Sequence, residues 1–285
     1  MLIGAMNHPA RDVVLEIEWM AEMNLDFIDL TLEPPVAACH RVNAGRIRSA
    51  LKEHEMEVVG HTAYYLPIAN PFESIRRAAV EELKHCIDVF CQLGVEWMNI
   101  HPDRNAPMHD RGFVIARNLL SLRELVQTGR DCGVGIMIEN LPGQFNSARQ
   151  LGELLDPLPE VGLHLDIGHC NLLTDFNTAD EVLAAYGRRL KHVHLHDNKG
   201  GAADLHLPLG TGTVNVAHHV RRLQEAGYNG TITLEVFSPD RHYLAYSRDL
   251  LRRAWDEAAG PKPDSVVHAH TEPVGASSKQ QTCSC

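Results

Sequence analysis

Short aliphatic runs alternate along the chain with longer segments in which apolar positions recur every three or four residues. The short runs read as eight strands, at residues 2–6, 26–32, 57–61, 96–101, 134–139, 162–167, 191–196 and 231–237. The longer segments read as eight helices, at 11–23, 43–54, 72–93, 113–132, 147–155, 178–189, 214–226 and 239–258. In the third helix Ile75, Ala79, Leu83, Ile87 and Phe90 mark one apolar stripe. Pro71 precedes that helix, and Gly94 follows it where a left-handed residue ends a helix. Gly133 and Gly227 close the fourth and seventh helices in the same way. Strands separated by helices pair in parallel, since a parallel crossover takes about a dozen residues or more. Eight such units predict one α/β domain, a (β/α)8 TIM barrel over residues 1–260, with an open doubly wound sheet as the alternative.

Side chains alternate faces along a strand. In the fifth strand Ile136 and Ile138 oppose Met137 and Glu139; in the eighth Ile232, Leu234 and Val236 oppose Thr233 and Glu235. In the seventh Val193 and Leu195 oppose His192, His194 and His196. The aliphatic face suits a layer of helices, so the polar face points into the barrel. There the strand ends present His61, His101, Glu139, Asp166 with His169, His194 and Glu235, and the loop after the seventh strand adds Asp204 and His206. Barrel active sites lie at this C-terminal face. His192 is expected deeper in the barrel and His196 at its rim.

A lone His or Glu at a strand end is more often a hydrogen-bonded or capping residue than a ligand. Four carboxylates and at least five imidazoles in one mouth are different. The carboxylates would repel one another and titrate upward, and a divalent cation removes that conflict. Mixed nitrogen and oxygen donors suit Zn, Mn, Co or Fe rather than calcium. Cys170 adjoins His169, but a packing role fits it better.

Composition narrows the setting. The 285 residues are 44% hydrophobic with a net charge of −11. No apolar run reaches the roughly 18 residues of a membrane span, and Met1–Ala10 lacks the pattern of a signal peptide, so a cytoplasmic location is expected. Seven scattered cysteines do not form a disulfide framework; Cys86 and Cys91 fall within a helical pattern as small apolar residues. The negative charge weighs against an extended nucleic-acid surface. Residues 261–285 are rich in Pro, Ser, Thr and Gln and are expected to be a disordered tail. Its His268, His270, Cys283 and Cys285 are more simply solvated than metal-bound.

Gly60-His61-Thr62-Ala63-Tyr64-Tyr65, Asn99-Ile100-His101-Pro102, Ile138-Glu139-Asn140, Leu165-Asp166-Ile167-Gly168-His169, His192 to Asn198, Asp204 to Gly210 and Leu234-Glu235 occur in that order. Together they resemble the xylose-isomerase-like barrel superfamily, which also contains endonuclease IV-type apurinic-site nucleases. The resemblance spans residues 1–260. It implies two ligand sets. Sugar isomerases and epimerases of the superfamily hold one metal with residues matching Glu139, Asp166, His194 and Glu235, and the two glutamates exchange the substrate proton. The nucleases hold three zinc ions with residues matching His61, His101, Glu139, Asp166, His169, His194, Asp204, His206 and Glu235. His61, His101, His169 and His196 are the candidates for touching substrate.

Three departures point away from the nucleases. Tyr65-Leu66-Pro67-Ile68 replaces an Asn-containing run, His164 stands where they carry Cys, and His196 where they carry Asn. The expected function is therefore a divalent-metal-dependent isomerase or epimerase acting on a sugar or sugar phosphate through an enediolate-like intermediate. The alternatives are a zinc phosphodiesterase acting on abasic DNA, and a sugar- or metal-binding relative without turnover. The expected partner is a small carbohydrate, with no membrane; a homo-oligomer is compatible with the sequence.

Overall fold

The computed structural model describes residues 1–104 and 106–259. The strands are β1 (Leu2–Met6), β2 (Phe27–Leu32), β3 (Glu57–Thr62), β4 (Trp97–Ile100), β5 (Gly135–Glu139), β6 (Gly162–Asp166), β7 (Leu190–Leu195) and β8 (Thr231–Leu234). The α-helices between them are α1 (Val13–Glu22), α2 (Ala44–Glu53), α3 (Glu73–Leu93), α4 (Arg111–Cys132), α5 (Ala148–Leu155), α6 (Ala179–Tyr186), α7 (Val216–Glu225) and α8 (His242–Ala258). Every strand pairs in parallel with the next, and β1 pairs with β8. That last ladder closes the sheet and excludes the open doubly wound arrangement. The expected tail at 261–285 lies outside the described residues. Among the described residues no helix is long and apolar enough to cross a membrane.

The helices start where side chains satisfy their free N–H groups. Asp12, Asn43, Asp110, Ser147 and Asn215 each accept a hydrogen bond from the first turn of the helix that follows. Gly94 and Gly133 end α3 and α4 at φ of 75° and 80°, the left-handed conformation glycine adopts without a Cβ penalty. Ile28, Leu30, Ile136, Ile138, Val193, Leu195 and Ile232 join the buried apolar layer between sheet and helices. The opposite faces of those strands are left for polar residues.

Several boundaries differ from the pattern. β4, β7 and β8 stop one or more residues short, so His101, His196 and Glu235 lie just past their strands. The sixth helix, expected to reach Arg189, stops at Tyr186 and passes into a 3-10 turn at Gly187–Arg189. The α3 stripe is also different at its start. Ile75 is exposed, while Arg76 is buried because its guanidinium meets Glu73, Glu124 and Ser121. A buried charge is tolerated when it is paired and hydrogen-bonded.

Candidate metal centre at the barrel mouth

Cross-strand register sets the polar residues in layers. Glu139 pairs with His164, Asp166 with His194, and His194 with Thr233. Above them the loops after β6 and β7 fold inward. Asn140 holds the first loop: its Oδ1 accepts from Asp166 N at 2.7 Å and its Nδ2 donates to Asp166 O at 2.9 Å. Asp197 holds the second, accepting from the backbone N–H groups of Asn198, Gly210, Gly212 and Val214. This fold-back brings His206 to the mouth with φ of 44°, an uncommon conformation for a residue with a Cβ.

The result is a closed ring of acids and imidazoles. Glu139 Oε1 lies 3.2 Å from His169 Nδ1, and His169 Nε2 lies 3.1 Å from Asp204 Oδ2. Asp204 Oδ2 lies 3.2 Å from His206 Nε2, and His206 Nδ1 lies 3.4 Å from Glu235 Oε2. Glu235 Oε2 is 3.4 Å from His194 Nδ1. His194 stacks on His61 with ring centroids 5.4 Å apart, and His61 Nε2 returns to Glu139 Oε2 at 3.8 Å. His101 Nε2 touches Glu139 Oε2 at 2.9 Å, and Asp166 Oδ2 sits 3.1 Å from His169 Nδ1. All nine residues singled out as ligands are thus brought together. Among the described residues, the groups whose ligand atoms lie within 4.8 Å of one another include three in the barrel: His61, His101 and Glu139; His164, His192 and His194; and His169, His196, Asp204 and His206.

His192 is deep, as expected: its Nε2 meets Thr233 Oγ1 at 3.0 Å and Asp29 Oδ2 at 3.3 Å. His196 is not at the rim. It is wholly buried, stacked 4.2 Å from His206, with Nε2 facing Asp166 at 3.4 Å and Asp204 at 3.6 Å. The fold-back of the loop at Asp197 covers it. Cys170 is buried beside Asn140, and burial pushes its thiol up to about 12, which fits packing and not ligation.

Glu139 does push Asp166 upward, yet three of the carboxylates are lowered on balance. Burial opposes ionisation of Glu139, but His101 and His164 outweigh it and hold the carboxyl well below its ordinary range. Burial likewise opposes ionisation of Asp166, and the neighbouring His169 and His196 bring it down. Asp204 is lowered against its burial by His169 and His206. The interleaved imidazoles supply the compensation that was expected of a cation alone. His169 is raised by Asp166 and Asp204, and His194 by Glu235 and Asp29, each against the effect of burial.

What the imidazoles leave over is a set of buried atoms without hydrogen-bond partners. They include His61 Nε2, His101 Nδ1, Asp166 Oδ2, His194 Nδ1, His196 Nε2 and Glu235 Oε2. Buried polar atoms are normally satisfied. Oxygen and imidazole nitrogen atoms left open at one place are the donor chemistry that Zn, Mn or Co takes, so the residues fit a divalent ion.

Several residues escaped the reading of strand ends. Asp29, Thr31, Asn99 and Thr233 are wholly or almost wholly buried and contact the site from inside the barrel. Thr31 Oγ1 lies 3.2 Å from His61 Nδ1, and Asn99 donates to Glu139 Oε2 at 2.7 Å. The alternation of Ile28, Leu30 and Leu32 with Asp29 and Thr31 carried that signal.

Comparison with known proteins agrees with the fold. Residues 17–256 match the xylose isomerase-like TIM barrel family, and the chain belongs to that family. An uncharacterized protein of Methanocaldococcus jannaschii is 30% identical over 236 residues, covering 77% of each chain. The crystal structure of a D-tagatose 3-epimerase-like protein superposes with a TM-score of 0.81 at 25% identity, covering 91% of this chain and 98% of that one. A probable endonuclease 4 of Thermotoga petrophila is 25% identical over 174 residues, 54% of this chain and 59% of that one. Relatives named as epimerases and relatives named as nucleases thus both surround the chain.

Proposed function

We propose that the protein is a divalent-metal-dependent isomerase or epimerase of a sugar or sugar phosphate. One observation carries the reading. Asp166, His194 and Glu235 each keep a buried, unpartnered atom beside the ring that contains Glu139. Glu139, Asp166, His194 and Glu235 would hold the ion, of the Zn, Mn or Co class. Once bound, the ion supplies positive charge to polarise a carbonyl and offset enediolate-like charge as a proton leaves the adjacent carbon. Glu139 and Glu235 come from β5 and from the end of β8, on different sides of the mouth. One takes the proton and the other returns it. His169 Nδ1 faces Glu139 Oε1 at 3.2 Å, whereas Glu235 Oε2 has no hydrogen-bond partner and is left for the ion. His61, His101 and His169, only a few per cent exposed, would donate to substrate hydroxyl or phosphate oxygens. His196 backs Asp166 and Asp204.

A second reading has its own observation. His169, His196, Asp204 and His206 form a compact donor group apart from the four ligands named above, more donors than one ion takes. That suits a multi-ion phosphodiesterase, while the net charge of −11 disfavours a DNA track. Interconversion of ketoses and ketose phosphates by metal-stripped and metal-restored enzyme tests the first reading. Activity that vanishes with the metal and returns with it is expected; full activity in the stripped protein contradicts it.

A further inference from the structure

Asp29 sits in the middle of β2 and points across the bore of the barrel. It is completely buried. A single oxygen, Oδ2, meets His194 Nε2 at 2.7 Å, Thr233 Oγ1 at 2.9 Å and His192 Nε2 at 3.3 Å. These partners lie on β7 and β8, across the bore from β2. The other oxygen, Oδ1, has no hydrogen-bond partner among the described residues. Burying a charge without strong partners is costly, and these three contacts offset that cost through one oxygen.

We infer that Asp29 is the positioning residue for His194: it holds the proton on Nε2 and so presents the lone pair of Nδ1 to the divalent ion. The inference rests on the proposed role of His194 as a ligand. An ionised carboxylate only accepts hydrogen bonds, so the nitrogen facing it carries the hydrogen. The ring has two nitrogens, and the hydrogen bond of one sets what the other can do. His194 Nδ1 is the one without a hydrogen-bond partner, and it stands 3.4 Å from Glu235 Oε2. The ring plane is fixed as well. His61 stacks on it at 5.4 Å and 19°, and His164 packs edge-on at 4.0 Å and 79°. The imidazole therefore has one open nitrogen, in one direction. A carboxylate behind a ligating imidazole also raises its basicity toward the metal.

Asp29 is thus assigned no contact with substrate. Its effect passes through His194. A purely structural role, holding β2 against β7 and β8, is the competing account, and the two differ in what Asp29→Asn does. The substitution keeps the volume and removes the charge. Full-length protein is stripped with chelator, its unfolding midpoint is measured, and Zn(II) or Mn(II) is titrated into the folded apoprotein by calorimetry. Positioning predicts metal affinity lower by about 10–100-fold in Asp29→Asn, in protein that is folded before the titration. Thr233→Val, which removes a hydroxyl from Asp29 but leaves its contact with His194, should bind metal like wild type. Equal affinity in Asp29→Asn and wild type overturns the inference while leaving the metal centre standing. Failure of wild-type protein to bind either ion overturns the metal reading itself. A measurement that needs no variant is nitrogen NMR of the zinc-loaded wild type. His194 should carry its hydrogen on Nε2; a hydrogen on Nδ1 contradicts the assignment.

Discussion

Asn99 donates its side-chain amide to Glu139 Oε2 at 2.7 Å. His101 Nε2 reaches the same oxygen at 2.9 Å, so Oε2 is held from two sides while Oε1 turns toward His169. The two oxygens of Glu139 are therefore not equivalent, and Asn99 holds Oε2 together with His101 and, at 3.3 Å, His164.

Asn99→Leu keeps the volume and deletes that donor. A buried carboxylate losing a partner costs about 1–3 kcal/mol. Chemical unfolding of the apoprotein should show a loss of that size, and metal titration should show weaker binding because Glu139 is free to rotate. Unchanged stability and affinity would mean that the surrounding imidazoles orient the carboxylate without Asn99.

The eight strands and their order were legible because short aliphatic runs alternate with helical periodicity, and the last six strands carry a ligand-type residue at or just past their ends. Register was not. Nothing local places Asp29 of β2 beside His194 of β7, since they come together only when the sheet closes through the β1–β8 ladder. Burial of His196 was equally invisible, because it depends on a loop folded back by the four N–H bonds to Asp197. The offsetting of carboxylate repulsion by imidazoles was hidden for a related reason. Sequence listed the acids and the imidazoles but not their alternation around the ring.

Gly168 tests the close approach that follows from that buried imidazole. A Cβ at this position would lie 2.2 Å from His196 Nε2, so Gly168→Ala must displace the ring or the loop. Overpacking of this kind costs about 1–3 kcal/mol. Thermal unfolding should register it; a wild-type midpoint would show that His196 has room to move.

His206→Ala separates the two functional readings. For a one-ion isomerase, the protein keeps its metal content and turns over with a raised KM, because His206 lines the mouth. For a three-ion phosphodiesterase, one equivalent of metal and nearly all turnover disappear together. Metal content by elemental analysis, measured alongside kinetics, decides between them.

Away from the mouth, His219 on α7 gives a pH signature. Burial pushes it down to about 4, with His218 adding to the effect and Asp180 opposing it. Unfolded, it returns to its ordinary value of 6.5. The unfolded chain therefore binds the extra proton between these values, and stability falls as pH drops from 6.5 toward 4. The loss amounts to about 3 kcal/mol from this one group. His219→Leu should flatten the stability curve of the apoprotein across that window. Parallel curves for variant and wild type would show that His219 is protonated at no cost in the folded state.

Proton transfer at a carbon beside a carbonyl is read directly by solvent exchange. Metal-loaded enzyme in heavy water is incubated with a panel of ketoses and ketose phosphates, and deuterium uptake is followed by mass spectrometry for wild type, Glu139→Gln and Glu235→Gln. Uptake at one carbon of at least one substrate is expected for wild type, with near abolition in both variants. No uptake from any ketose, together with cleavage of abasic duplex DNA by the same preparation, would contradict it.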